Sequence, residues 1–202
     1  MPETLTELKV ELTPQQIQSE EALLIGENPF RLVEHGFLTI KTKSEGMIKL
    51  YPNNIQKRFI TKVKEIFFSA KPVRIIVLKA RQMGISTIIE AIIYAFVSRM
   101  QGVNACVVAD DLDGANYIFE MQKLFYEYLP DHLKPPIKHS NEKKLEFDGI
   151  HSQVMIDTAE NKDVGRKMTL QDVHICLAGD NYILVKDGFI KKLADVKSKD
   201  TV

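Results

Sequence analysis

The sequence predicts an α/β fold, a parallel sheet with flanking helices. Three observations carry this. Residues 73–78 (Val73-Arg74-Ile75-Ile76-Val77-Leu78) and 103–109 are short runs rich in apolar, largely β-branched side chains, as in buried strands. Each is followed by a longer stretch of helical periodicity, residues 86–100 and 112–128. Strand, helix, strand, helix in that order implies parallel pairing through crossover connections.

The other elements follow in chain order. Residues 1–27 are polar and acidic, with a helix start at Thr13-Pro14-Gln15-Gln16: threonine caps and proline suits the first helical position. From Asn28 the apolar and aromatic density rises, in 28–33 and again in 37–40. The strand at 103–109 ends at Asp110-Asp111, which read as loop or helix-capping groups. The helix after it stops at Pro130. Residues 145–150 and 153–156 form a hairpin turning at Asp148-Gly149. A polar loop, 158–166, leads to a short strand at 173–175. Residues 182–190 have a second hairpin pattern, turning at Asp187-Gly188. The segment 176–202 is too short for a core of its own.

Composition narrows the function. The chain has 202 residues, 45% hydrophobic and 27% charged, which excludes wholesale disorder and a fibrous repeat. Basic and acidic residues balance at 27 each, so nucleic-acid contact would need a local patch. Cys106 and Cys176 do not make a disulfide scaffold, and a reducing compartment fits. Cys106, mid-strand, reads as an inert buried thiol. The five histidines show no metal-ligand spacing. No apolar run is long enough to span a membrane and the start lacks a secretion signal, so the expectation is a soluble intracellular protein.

Lys79-Ala80-Arg81-Gln82-Met83-Gly84-Ile85-Ser86-Thr87 lies between a predicted strand and a predicted helix. A phosphate-binding loop belongs there, because N–H groups and the dipole at a helix start attract an anion. The pattern G-x-x-x-x-G-K-[ST] is met only in part. Gly84 matches the second glycine and Ser86 the magnesium-binding hydroxyl. Ile85 stands at the usual lysine position and Lys79 at the first glycine. Lys79 or Arg81 could fold over the loop and supply the missing cation, and Arg81 could stabilise charge developing at the γ-phosphate. The alternative is a basic loop that merely starts a helix. Upstream, in Leu50-Tyr51-Pro52-Asn53-Asn54-Ile55-Gln56, the Gln56 amide offers the donor and acceptor that an adenine edge needs.

These residues, with Asn28-Pro29-Phe30, resemble the ATPase domain of tailed-phage terminase large subunits, a family that tolerates a displaced lysine at the front of the loop. The stretch Thr158-Ala159-Glu160-Asn161-Lys162-Asp163-Val164-Gly165-Arg166, leading into 170–175, is also similar to the family. The resemblance covers residues 28–175. It implies a P-loop ATPase-like parallel sheet, ATP and Mg²⁺ as cofactors, and Lys79, Arg81, Gln82, Gly84, Ser86, Thr87 and Gln56 around the nucleotide, with Ser86 at the metal. It further implies double-stranded DNA, a small terminase subunit and a portal as partners, in the cytoplasm of an infected bacterial host.

Such an ATPase needs a carboxylate at the end of the strand at 173–175, to hold Mg²⁺ and align water. The sequence instead continues Cys176-Leu177-Ala178-Gly179-Asp180. From Cys176 it resembles the first block of an intein: that pentapeptide, an apolar strand 183–185, Asp187-Gly188, Ile190 and Leu193-Ala194-Asp195-Val196. The chemistry implied is attack of the Cys176 thiolate on the Ile175 carbonyl, which turns the peptide bond into a thioester. The β-branched Ile175 is expected to slow it by crowding. A Thr-x-x-His block after Cys176 and a terminal His-Asn are both absent, so the chain is expected to need a partner carrying the rest of the intein, the catalytic Glu and the remaining terminase with its nuclease domain. The expected division is a polar segment 1–27, an incomplete ATPase domain 28–175 and a short β-rich intein fragment 176–202. The competing readings are a non-splicing P-loop nucleotide-binding or helicase-like module with a β-hairpin tail, and an interaction protein that binds no nucleotide.

Overall fold

The computed structural model describes residues 13–42, 44–77, 83–141, 143–159 and 161, together with the strands 173–177, 182–184 and 190–192. In chain order the elements are α1 (Pro14–Glu27), α2 (Phe30–Glu34), β1 (Thr39–Thr42), β2 (Gly46–Lys49), α3 (Asn54–Phe68) and α4 (Ile85–Arg99). There follow β3 (Asn104–Ala109), α5 (Leu112–Glu127), a 3-10 turn (Asp131–Leu133), β4 (Ile137–Ser140), β5 (Lys144–Phe147) and β6 (Ser152–Thr158). The last are β7 (Val173–Leu177), β8 (Tyr182–Leu184) and β9 (Ile190–Lys192). Among the described residues no helix is long and apolar enough to cross a membrane.

Local chemistry sets three helix starts. Thr13 accepts from the Gln16 N–H at 3.3 Å, and Gln16 Oε1 accepts from the Thr13 N–H at 2.8 Å, a capping box that opens α1 with Pro14 as its first residue. Asn53 opens α3 through a similar box with Gln56. Asp111 opens α5, its carboxylate accepting from the Gly114 N–H at 2.7 Å. Asp110 Oδ1 in turn accepts from the Asp111 N–H at 3.1 Å. The acidic pair that closes β3 thus serves a helix cap, as its sequence position implies.

The fold is mixed α/β, with helices flanking the sheet. β3 lies between β6 and β7 and is parallel to both. Ala105, Cys106 and Val107 of β3 are fully buried, as expected for a strand covered on both faces. The sheet is not wholly parallel, however. β5 pairs antiparallel with β6, β4 pairs antiparallel with β5, and the order is β4-β5-β6-β3-β7. A connection as short as 148–151 can only return the chain antiparallel, and Gly149 takes a left-handed φ of +74° there. β8 and β9 form a separate antiparallel pair, consistent with the hairpin read at 182–190. α1 is docked on the rest, since Ile25 is buried in the same core as Phe30 and Leu32.

Three rings link α2, α3 and α4. Phe30 lies 5.2 Å from Phe96 and 5.8 Å from Phe67, and Phe67 lies 5.0 Å from Phe96, each pair edge-to-face. Phe67 is at the C-terminal end of α3, and Phe96 is in the last turns of α4. The rings therefore hold those two ends together.

One strand prediction fails. Residues 72–77 are irregular, and Val73, Ile75 and Ile76 are 40%, 37% and 40% exposed. The composition is that of a strand, but a strand persists only with a neighbour for its N–H and C=O groups. No ladder includes any of the described residues 72–77. Leu78 lies outside the described residues.

A carboxyl group is sealed inside the helical layer. Glu90, in the apolar run of α4, is fully buried, and Gln122 of α5 donates to its Oε2 at 2.8 Å and to its backbone carbonyl at 3.1 Å. Glu90 Oε1, Gln122 Oε1 and the Tyr94 hydroxyl are buried with no hydrogen-bond partner among the described residues. Burial pushes the Glu90 carboxyl up to about 8, the Gln122 hydrogen bond opposing this in part. The folded value lies above the unfolded one of 4.5. The stabilising contribution of the neutral acid is therefore complete below about pH 4.5 and is lost as pH rises through about 8. Glu90→Gln removes this proton from the balance. In urea titrations the variant should gain a few kcal/mol on the wild type between pH 5 and pH 8.5. A difference that stays flat with pH would show that the buried group does not titrate this way.

Candidate functional site

The site centres on the start of α4. Gly84 is its N-cap, in the left-handed region at φ +67°, and no side chain caps the helix. The first-turn N–H groups thus begin behind a residue with no side chain to cover them, a geometry suited to an anion. Ser86 and Thr87 sit in this first turn, both partly exposed. The structure brings Gly84, Ser86 and Thr87 together there, while Lys79, Arg81 and Gln82 lie outside the described residues.

Gln56 is brought to the same point from α3. Its Nε2 donates to the Gly84 carbonyl at 2.8 Å. Its Oε1 accepts from the Asn53 N–H at 2.9 Å, while Asn53 Oδ1 accepts from the Ile55 and Gln56 N–H groups at 3.0 Å each. Gln56 is only 6% exposed. The amide assigned from sequence to an adenine edge has both of its polar atoms engaged inside the protein. A Cβ on Gly84 would lie 2.6 Å from Gln56 Nε2, so the close approach and the positive φ both select glycine.

Beside this junction is an open groove of about 720 Å³. Ile55, Phe59, Val77 and Ile85 give it apolar walls, and Lys57, Arg58 and Lys62 also line it. Lys62 is paired with Glu65 at 3.0 Å. Among the described residues no group of three or more His, Cys, Asp or Glu side chains is arranged to hold a metal ion. Ser86 alone is not a magnesium site, because Mg²⁺ is held through carboxylates and phosphates as well.

Ile175 and Cys176 are consecutive residues of β7, opposite Val107 and Val108 in the parallel ladder with β3. The strand expected at 173–175 thus runs on through Leu177, across the position where the sequence changes character. The stretch 162–172, with Gly165 and Arg166, lies outside the described residues.

Two features escaped the sequence reading. The Gln56–Gly84 bond joins residues 28 apart. Its nearer half was visible, since Asn53-x-x-Gln56 is a capping box. Glu90 was visible as a lone carboxyl in Ile88-Ile89-Glu90-Ala91-Ile92-Ile93. No family model and no curated protein matches this chain.

Gly84→Ala should cost about 2 kcal/mol, from the left-handed backbone and the displaced Gln56 hydrogen bond together. Chemical denaturation reads this. A loss below about 0.5 kcal/mol, the range of a neutral surface substitution, would show that the cap relaxes freely.

Proposed function

We propose that the chain is the N-terminal precursor of a tailed-phage terminase large subunit, an ATP-driven motor that packages double-stranded DNA. In this reading it is joined to its C-terminal half by trans-splicing through a split intein. The observation that carries the nucleotide part is the left-handed Gly84 at the uncapped start of α4. A polyphosphate sits against the N–H groups of that turn. Lys79 and Arg81 provide the counter-charge, Gln82, Ser86 and Thr87 complete the loop, and Arg81 offsets charge building at the γ-phosphate. Mg²⁺, when bound, neutralises the phosphate oxygens. Ser86 would be its ligand from this chain, with the missing carboxylate supplied by the partner. The chain alone therefore binds nucleotide weakly and turns it over negligibly.

The splicing part rests on the residues at 175 and 176. The Cys176 sulfur adds to the Ile175 carbonyl carbon, the C–N bond breaks, and the Cys176 nitrogen leaves as a free amine after taking a proton. The thioester has lost the resonance of the amide and passes its acyl group to a nucleophile on the partner. In the ligated product Ile175 is followed by the Ser or Cys nucleophile of the partner and then by the acidic residue, and the chain acquires a metal-dependent nuclease domain. It works with a small terminase subunit and a portal in the cytoplasm of the infected host. Residues 176–202 leave with the excised intein.

Mixing the chain with its downstream complement should give one larger ligated protein and release residues 176–202. Cys176→Ala should abolish ligation, and ligation that continues would remove Cys176 from its role. A non-splicing nucleotide-binding module predicts no ligation with any complement. Hydrolysis of ATP by the unspliced chain at motor-like rates would contradict the assignment of the missing carboxylate to the partner.

A further inference from the structure

We infer that Gln56 is a positioning residue for the first turn of α4, acting on triphosphates of any base rather than reading adenine. The inference rests on the anion site proposed at the start of α4. The Gly84 carbonyl accepts twice, from Gln56 Nε2 at 2.8 Å and from the Ile88 N–H at 3.1 Å. The second is the first bond of the helix, and the two together fix the plane of the peptide between Gly84 and Ile85. In a trans peptide the N–H points opposite to the C=O. Holding the Gly84 oxygen toward α3 and down the helix therefore aims the Ile85 N–H out of the helix start, where an anion would lie.

The anchor behind Gln56 is firm. Its Oε1 is held by the Asn53 N–H in the cap of α3. The far end of α3 is held to α4 by Phe67 against Phe96. Gln56 to Phe67 and Gly84 to Phe96 are almost equal spans, about 16–18 Å at the helical rise. The two helices thus run side by side in the same direction, tied at both ends. Reading adenine would require an acceptor and a donor turned to the base. Oε1 cannot turn without breaking the cap, and Nε2 cannot without releasing Gly84.

The test uses the full chain as wild type, Gln56→Leu and Asn53→Ala, with inorganic tripolyphosphate, ATP and GTP as probes. Gln56→Leu should weaken all three by about the same factor, roughly tenfold for one misaimed donor to an anion, leaving the ATP-to-GTP ratio unchanged. Asn53→Ala, which spares the bond to Gly84, should keep tripolyphosphate affinity within about twofold. Without any ligand, hydrogen exchange at the Ile88 amide should be faster in Gln56→Leu than in Asn53→Ala. Should Gln56→Leu fail to fold, Gln56→Glu keeps the acceptor for Asn53 and takes its place in both measurements. Tripolyphosphate affinity unmoved by Gln56→Leu, or a loss confined to ATP, overturns the inference while the anion site stands. A wild type that binds no tripolyphosphate overturns the anion site itself, and the positioning role falls with it.

Discussion

Phe96 is held edge-on by Phe30 and Phe67, and the rest of the candidate site depends on that contact. It binds the ends of α3 and α4 so that the two helices cannot slide past one another. A slide of one residue would carry Gln56 about 1.5 Å along the helix axis, enough to break a 2.8 Å hydrogen bond to Gly84. The polar contact at the helix starts is therefore a consequence of apolar packing at the helix ends. Core packing and anion geometry are one problem here, solved along two parallel helices.

The contact between α4 and α5 carries a different constraint. Glu90 and Gln122 place an acid and an amide inside an apolar interface, with three oxygens left without partners among the described residues, the Tyr94 hydroxyl included. Such groups weaken a core unless they are neutral or bonded. Keeping Glu90 protonated is the less costly solution, and it makes the α4–α5 contact sensitive to pH. The same helix thus carries the candidate site at its start and a titrating group in its second turn.

Much of this was legible in the sequence, and the reasons differ by element. α1 was readable from Thr13 and Pro14, α4 and α5 from their periodicity, β3 from its apolar run, and the β5–β6 hairpin from Asp148-Gly149. These depend on local signals. α3 was missed because its cap was read as part of a ligand motif, although Ile55, Phe59, Ile60, Val63, Ile66 and Phe67 recur at helical spacing. The strand at 73–78 was over-read because composition reports what a segment prefers, not whether a neighbour exists to pair with it. At the site, Gly84 and Ser86 were readable from spacing. Gln56 was noticed for its amide, but its use in holding Gly84 depends on two distant helices meeting, which no local pattern encodes.

The bare stretch from Val73 to Val77 has one more consequence. Backbone groups that find no ladder at home are a template for another copy of the chain, and short β-branched runs are the most willing to stack. Lys71, Pro72 and Arg74 stand at and inside this stretch as gatekeepers, two like charges and a ring that resists pairing. Without those two charges and that ring, an exposed β-prone run would have nothing to oppose pairing with its like.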